Sequence, residues 1–315
     1  MNSSHLSFQC TALGLPPPQD WPQHYDAVLI TGPTASGKSA LAMQLAQLWS
    51  ASILSVDSAL VYTGMDIGTA KPTQAEQAAV PHYLIDLIEP TATYSVARFL
   101  NDAQAALIDS KTHGRLPLLV GGTMMYVNAL HKGLSVLPQV PSTTRQTIAQ
   151  QASVLGWPAL HSQLAAVDGV TAQRLAPNDA QRIERALSVY QATGRPLSEW
   201  IAKAQSSPAI MGQGRWLHVS IEPDKQRLWQ RIEHRFDAML EAGFLNEVAQ
   251  LRARGDLSPK LPSMRCVGYR QAWQHLAGHC DEAAMRELGV IATRQLAKRQ
   301  MTWLRGMSER LVLSL

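Results

Sequence analysis

The run DAVLITGPTASGKS, Asp26 to Ser39, constrains the fold more than any other stretch of the chain. A short apolar segment leads into GPTASGKS, which matches G-x-x-x-x-G-K-[ST] with Gly32, Gly37, Lys38 and Ser39 at the fixed places. Such a loop needs a strand before it and a helix after it. The apolar run predicts a strand over Ala27 to Thr31 and a helix from about Gly37, with Leu41, Leu45 and Leu48 at helical spacing toward the core. The glycines let backbone N–H groups converge on phosphate oxygens, Lys38 adds a point charge, and the Ser39 hydroxyl can hold Mg²⁺.

Further strands and helices follow in alternation. ASILSVDSALVY reads as a short strand ending at Asp57, PHYLIDLIEP as another closed by Pro90, and LPLLVGGT as a buried strand ended by paired glycines. SVARFLNDAQAALIDSKTHG has helical period and stops at Gly114. This order predicts an α/β fold: a P-loop NTPase-like, doubly wound parallel sheet. From His131 to Gln205 no strand is convincing, and three short helical segments are separated by Pro, Gly and Asp. Strand character resumes at RWLHVSIEP, a helix follows from about Lys225, and the C-terminal third reads as helical. The expected organisation is an irregular N-terminal extension over 1–25, a core from 26–130 and 206–315, and a helical insertion domain over 131–205.

Charge is informative by its location. The chain carries a formal net charge of +4, and residues 261–315 hold eight Arg or Lys against four Asp or Glu, so this region accounts for the whole excess. A basic end on a near-neutral body suits an anionic partner larger than a metabolite, or simply a solvated face. The three cysteines, Cys10, Cys266 and Cys280, form no CxxC pair and no disulfide framework, which fits a reducing cytoplasmic setting. No apolar run is long enough for a membrane span, and the first 19 residues lack the basic start of a signal peptide.

The loop lacks its usual nucleotide-hydrolase companion. The buried strand LPLLV ends in Gly121-Gly122-Thr123 with no carboxylate, and no NKxD tetrad is present. The loop is therefore better suited to a bound diphosphate than to ATP hydrolysis. Asp57 and Ser58 should emerge at the same carboxyl edge as the loop. Asp57 can serve there as a general base, bind Mg²⁺ through water, or merely cap a turn. Asp66 and Lys71, in a Gly-punctuated loop, are weaker candidates.

GPTASGKS, SVDSALVYTGMDIGTAKP, LLVGGTMMY, DAQRIERALSVY, MRCVGYRQ and TRQLAKRQMTWLR together resemble, in order, the motifs of bacterial tRNA dimethylallyltransferases, also called tRNA isopentenyltransferases. The resemblance covers about Asp26 to Arg310 and lacks the zinc-finger tail of eukaryotic relatives. It implies transfer of a dimethylallyl group from dimethylallyl diphosphate to N6 of adenosine-37, beside the anticodon, in tRNAs reading codons that begin with U. It also implies Mg²⁺, a monomer, and no obligate protein partner. On this resemblance, Gly32, Pro33, Thr34, Ala35, Ser36, Gly37, Lys38 and Ser39 hold the diphosphate, with N–H groups of Thr34 to Gly37 as donors. Arg235 is a second diphosphate ligand, or a surface residue paired with Glu233 or Asp237. Catalytic roles fall to Asp57, Thr123 and Arg145, and Ser39 is the metal ligand.

The same resemblance assigns tRNA contacts to Asp57, Ser58, Ala59 and Leu60, to Thr123 and Arg145, and to Gln181, Arg182, Ile183, Glu184 and Arg185. It adds Arg265, Cys266, Val267, Gly268, Tyr269 and Arg270, with Gly268 as a flexible point and Cys266 as a neutral wall. The last set is Lys298, Arg299, Gln300, Met301, Thr302, Trp303, Leu304 and Arg305. At about 100° per residue, Arg294, Lys298 and Arg305 share one helix face, while Leu296 and Trp303 lie opposite as an apolar backing, so Trp303 is expected in the core. Three rival readings remain open: a P-loop kinase or NTPase, a transferase acting on free AMP or ADP, and a non-catalytic RNA-binding protein.

Overall fold

The computed structural model describes residues 16–134, 137–203, 208–307 and 310–314. Its chain divides into two compact units, residues 1–131 with 210–315, and residues 132–209.

The first unit is built on a six-stranded parallel sheet. In chain order the strands are β1 (Ala27–Thr31), β2 (Ala51–Val56), β3 (His82–Tyr83), β4 (Leu116–Gly121), β5 (Trp216–Ile221) and β6 (Leu311–Leu313), ordered β3-β2-β4-β1-β5-β6 across the sheet. β1, β2 and β4 are buried along their whole length, as expected of a parallel sheet covered on both faces. The register decides where chemistry can occur. Thr31 and Val56 both pair with Gly121, so the ends of β1, β2 and β4 are level. The residues that follow each strand leave the sheet at one carboxyl edge.

Gly121 is where that pairing is tightest. A Cβ there would lie 2.1 Å from the Val56 carbonyl oxygen and 2.4 Å from its carbon. Backbone cannot yield as a flexible side chain does. Gly121→Ala is therefore expected to lower the thermal unfolding midpoint, with a cost at or above the ~1–3 kcal/mol of ordinary overpacking. A melting curve on the purified variant checks this.

α2 (Lys38–Leu48) follows the loop after β1, and α4 (Val96–Thr112) packs on β2 and β4. Between them α3 (Gln74–Ala79) starts on a Thr73–Glu76 capping box. α5 (Met124–Lys132) leaves the end of β4. After β5 come α11 (Lys225–Glu241), α12 (Phe244–Ala253), α13 (Tyr269–Leu276) and the 24-residue α14 (Glu282–Arg305). Asp224 starts α11 by accepting from the N–H groups of Gln226 and Arg227.

Several expectations need correction. The described part of the N-terminal extension is not irregular: Pro18–Asp20 forms a 3-10 turn and α1 (Trp21–His24) follows. Trp21 is fully buried and stacks obliquely near Trp49, so burial of one large ring orders the segment. Cys10 lies outside the described residues. PHYLIDLIEP does not run as one strand. Leu84 and Asp86 adopt φ of 65° and 52°, which ends β3 after Tyr83, and Asp86 instead pairs with Lys71. Leu48 is 72% exposed; it ends α2 beside an open groove lined by Pro22, Tyr25 and Trp49. The C-terminal third is not wholly helical, because β6 adds a parallel edge strand against β5.

The second unit is helical: α6 (Ser142–Leu155), α7 (Trp157–Val167), α8 (Gly169–Ala172), α9 (Ala180–Thr193) and α10 (Leu197–Lys203). Ile148, Leu160, Leu164, Ile183 and Val189 are fully buried in its core. The Asp168 carboxylate ties three segments together by accepting from Thr171 N, Thr171 Oγ1 and Ser198 N.

Candidate functional site

The loop after β1 forms a backbone nest. Ala35 and Gly37 take left-handed φ of 61° and 94°, which turns successive N–H groups inward. The donor set differs from the expected Thr34 to Gly37. Thr34 N donates to Gln300 Oε1 at 2.9 Å, and Ser36 N donates to Pro33 O at 3.2 Å. The N–H groups of Ala35, Gly37, Lys38 and Ser39 have no such acceptor among the described residues. The last two open α2, where the first N–H groups of a helix are unsatisfied. The open donors are thus shifted toward the helix start, where the helix dipole also favours an anion. Gly32 cannot carry a side chain, since a Cβ would fall 2.6 Å from Ser36 Oγ and 2.8 Å from Ile221 O.

A cavity of about 630 Å³ opens over this nest. Its wall includes Thr34 from the loop, Lys38 and Ser39 at the start of α2, Asp57 to Leu60 after β2, and Gly121 to Met125 at and beyond the end of β4. Four cations, Lys38, Arg235, Arg265 and Arg299, face one carboxylate, Asp57, which suits an anionic ligand. Apolar groups, among them Met125, Phe236, Met239, Leu296 and Trp303, complete the lining.

Lys38 and Arg235 are both perturbed. Burial, and then the charge of Arg235, push the Lys38 ammonium down to about 8, with Asp57 opposing the shift. Its Nζ donates a long hydrogen bond to Pro33 O at 3.4 Å, and among the described residues the ammonium has no carboxylate partner. Arg235 is also disfavoured as a cation by burial and is supported by Asp57. It donates to Thr69 O at 3.5 Å, its one hydrogen bond among the described residues. The surface-pair alternative for Arg235 does not hold, because Glu233 pairs with Arg294 and Asp237 with Arg286. Arg231, four residues earlier, donates to Ser36 O at 3.3 Å and props the loop from outside.

Asp57 caps a turn and also lines the cavity. Oδ1 accepts from Ala59 N at 2.8 Å and caps the turn. Oδ2 makes no hydrogen bond among the described residues, and the side chain lines the cavity. Thr123 joins the two neighbouring strand ends: Oγ1 accepts from Ser58 N at 3.0 Å and donates to Ser58 Oγ at 3.3 Å. Beneath the loop, Thr31 Oγ1 lies 2.8 Å from His218 Nε2. Burial pushes that imidazole down to about 3, so it is neutral.

Ser39 is exposed beside the nest and lines the cavity. No group of three or more His, Cys, Asp or Glu able to hold a metal occurs among the described residues. Mg²⁺ keeps most of its water and takes one or two protein oxygens plus substrate phosphate. The Ser39 hydroxyl, with free Asp57 Oδ2 in the same wall, fits that modest demand.

The remaining candidates separate into distinct groups. Arg265, Cys266 and Val267 line the cavity. Burial and the Asp57 charge push the Cys266 thiol up to about 12, consistent with a neutral wall. Gly268 is no flexible point: it is buried at φ 91° and donates to Gln271 Oε1 at 3.0 Å. Tyr269 is fully buried, and its hydroxyl donates to Glu247, so it offers no free polar group to RNA. Arg270, Lys298, Thr302 and Arg305 are exposed. Leu304 is fully buried and Met301 packs against the Phe236 cluster, so neither presents a surface. Arg294 is committed to Glu233. Trp303, expected in the core, is 49% exposed and lines the cavity with Leu296. α14 packs instead through Val290, Ala297, Gln300 and Leu304.

Asp66 and Lys71 are structural. Lys71 Nζ donates to Asp66, Asp86 and Tyr62 O with its side chain 4% exposed. In the second unit Arg145 is exposed on α6, Gln181 and Arg182 are exposed on α9, and Arg182 pairs with Asp179. Glu184 is half-buried, and Ile183 belongs to the unit's core. Arg185 donates to Pro138 O at 3.2 Å, and burial together with the Arg145 charge lowers its pKa.

Two functional groups carry no local signal in the sequence. Glu247 accepts from the N–H groups of Asp66, Ile67 and Gly68, fixing the loop whose Thr69 carbonyl meets Arg235. Gln300 joins the P-loop to the β4 glycines. Both act on segments more than a hundred residues away, beyond any spacing rule.

Two family models match: one described as IPP transferase over residues 60–307, and one described as isopentenyl transferase over residues 25–91. A curated relative from Ralstonia nicotianae, the tRNA dimethylallyltransferase of that organism, is 55% identical, covering 91% of this chain and 90% of its own length. The crystal structure of full-length tRNA isopentenylpyrophosphate transferase from Bacillus halodurans is similar with a TM-score of 0.63 at 32% identity, covering 91% of this chain and 89% of that one. A eukaryotic dimethylallyltransferase captured acting on tRNA has a TM-score of 0.75 at 25% identity, covering 91% of this chain and 73% of that one.

Proposed function

The chain belongs to the tRNA dimethylallyltransferase (IPP transferase) family, and from that premise we propose that it transfers a dimethylallyl group from dimethylallyl diphosphate to N6 of adenosine-37 in tRNAs that read codons starting with U. The observation that carries this reading is the level register of β1, β2 and β4. It brings the phosphate nest, Asp57 and Thr123 to one edge and one cavity.

The chemistry needs two things at once. The allylic C–O bond breaks with its electron pair going to diphosphate, and the N6 lone pair forms the new N–C bond. The free N–H groups of Ala35, Gly37, Lys38 and Ser39, with the Lys38 ammonium, would receive the charge that builds on the leaving oxygens. Arg235 would add a second cation from α11. Mg²⁺, held by the Ser39 hydroxyl, would supply further charge neutralisation on the diphosphate. The exocyclic amine is a weak nucleophile because its lone pair is delocalised into the ring. Asp57 would orient N6–H and take the proton on Oδ2, while Oδ1 stays fixed by Ala59. The apolar wall would keep water from the allylic carbon.

The adenine must leave its stack to enter such a cavity. The exposed face of α14 suits phosphate contacts, but its residues differ from the expected stripe: Lys298, Arg299 and Arg305 are open, whereas Arg294 is paired. Trp303 becomes a candidate stacking surface for a base. In the second unit, Arg145, Gln181, Arg182 and Arg185 are proposed to contact the anticodon stem-loop. Replacing Lys298, Arg299 and Arg305 together by Ala should weaken tRNA binding. It should also make the slope of log K against log salt shallower by about 2, near 0.7 per lost phosphate contact. Binding titrations across salt concentration measure this; an unchanged slope removes that face from the interface.

The reaction itself is tested by incubating the protein and Mg²⁺ with labelled dimethylallyl diphosphate and either tRNA or AMP. Label is expected in tRNA. Label in AMP instead, or release of phosphate from ATP without prenyl transfer, would overturn the reading.

A further inference from the structure

Gln300 lies on the packed face of α14 and is 7% exposed, yet both ends of its amide are used across the site. Oε1 accepts from Thr34 N at 2.9 Å, and Nε2 donates to Gly122 O at 2.8 Å. One side chain thus joins the start of the phosphate nest to the glycine turn that carries Thr123. The fit leaves no slack: a Cβ on Gly122 would lie 2.4 Å from Gln300 Nε2 and 3.0 Å from Gly32 O. Three elements therefore meet at one amide: the loop after β1, the turn after β4 and helix α14.

The consequence follows from which donors remain open. Thr34 N–H is taken by Gln300, and the nest proper begins one residue later, at Ala35 with its left-handed φ of 61°. Anchoring Thr34 fixes where that reversal starts and so where the following N–H groups point. The same helix presents Arg299 and Trp303 to the cavity, flanking Gln300 in sequence. α14 is thus joined to the start of the nest by one hydrogen bond and to the β4 turn by the other.

We propose that Gln300 is a positioning residue: its amide brace holds the phosphate nest open toward its ligand and links the grip on diphosphate to the helix face that meets RNA. This deepens the reading of the site as a prenyl-diphosphate centre and assigns Gln300 to the diphosphate side of the reaction, rather than to direct RNA contact.

The test uses Gln300→Met, which keeps the length and volume but loses the amide, and Gln300→Asn, which keeps the amide but is one methylene too short to reach both partners. Magnesium pyrophosphate is titrated into the full-length protein by calorimetry, tRNA affinity is measured separately, and steady-state kinetics follow. For Gln300→Met the dissociation constant for pyrophosphate and the KM for dimethylallyl diphosphate are expected to rise about tenfold, the loss of roughly one buried hydrogen bond from an organised loop. The tRNA dissociation constant should stay within about twofold. Gln300→Asn should move the same two quantities in the same direction by a smaller factor, and it keeps the question open to measurement if the Met variant does not fold. Pyrophosphate affinity unchanged in both variants would overturn the proposal. So would a tenfold loss of tRNA affinity with pyrophosphate binding intact, because Gln300 would then be an RNA contact. If the unaltered protein binds pyrophosphate but prenylates no tRNA, the reaction assignment fails while the pyrophosphate titrations still decide the role of Gln300.

Discussion

Asp57→Asn is expected to lower kcat by roughly 10²–10⁴-fold, the span of general-base assistance, while tRNA affinity changes little. The amide is the informative replacement here. Its side-chain oxygen can still accept from Ala59 N, the bond that Oδ1 makes at 2.8 Å, so the turn after β2 keeps its cap. Only the basic oxygen facing the cavity is lost. Asp57→Ala removes both functions, and any extra loss of stability relative to Asn measures the cap, ordinarily about 1 kcal/mol for such a bond. Steady-state kinetics with parallel tRNA binding separate the two effects. An Asn variant with the original kcat would leave Asp57 as a turn cap alone.

Lys38→Met should reduce kcat/KM for the prenyl diphosphate by about 10²–10³-fold, comparable to losing one preorganised charge-stabilising donor. The shifted pKa adds a signature that a purely structural lysine would not give. Burial and Arg235 hold the free ammonium at about 8, and a diphosphate binds best when that group carries its proton. Affinity for diphosphate should therefore be full below pH 8 and decline as pH rises through that value. The declining limb in kcat/KM should vanish in Lys38→Met, which has nothing to titrate. A limb that persists unchanged in the variant would belong to another group.

What the sequence discloses depends on how local the cause is. The strand, nest and helix from Ala27 to Leu48 are encoded in consecutive residues, and the glycines that permit Gly37 at φ 94° can be read directly. The alternation of strands and helices likewise suffices to reach a parallel sheet and its active edge. β3 fails for the opposite reason. Nothing in LIDL announces the left-handed φ at Leu84 and Asp86, and the Lys71–Asp86 ion pair that the turned segment makes joins residues fifteen apart. α14 shows the limit of periodicity. The angular spacing correctly opposes Trp303 to Arg294, but which side is buried is settled by what packs there. Gly289 meets the Phe236 ring, and Arg294 finds Glu233, turning Leu296 and Trp303 toward the cavity. Gln300 is the extreme case, with 266 residues separating it from Thr34. Its polar side chain in a basic helix reads as another surface contact until the partner is seen.

The order of strands in the sheet has a bearing on how the polypeptide is born. β1 is made first but lies between β4 and β5, so a chain emerging from the ribosome must hold its central strand with one bare side while the whole helical unit is translated. An unpaired strand of that apolarity is a ready template for mispairing. Only when Trp216–Ile221 arrives does that flank close, and only with the last turns of α14 does the amide that steadies the loop appear. Bracing of the anion cradle is therefore deferred until that helix has been made, and a nascent product cut short of it would display the cradle unbraced.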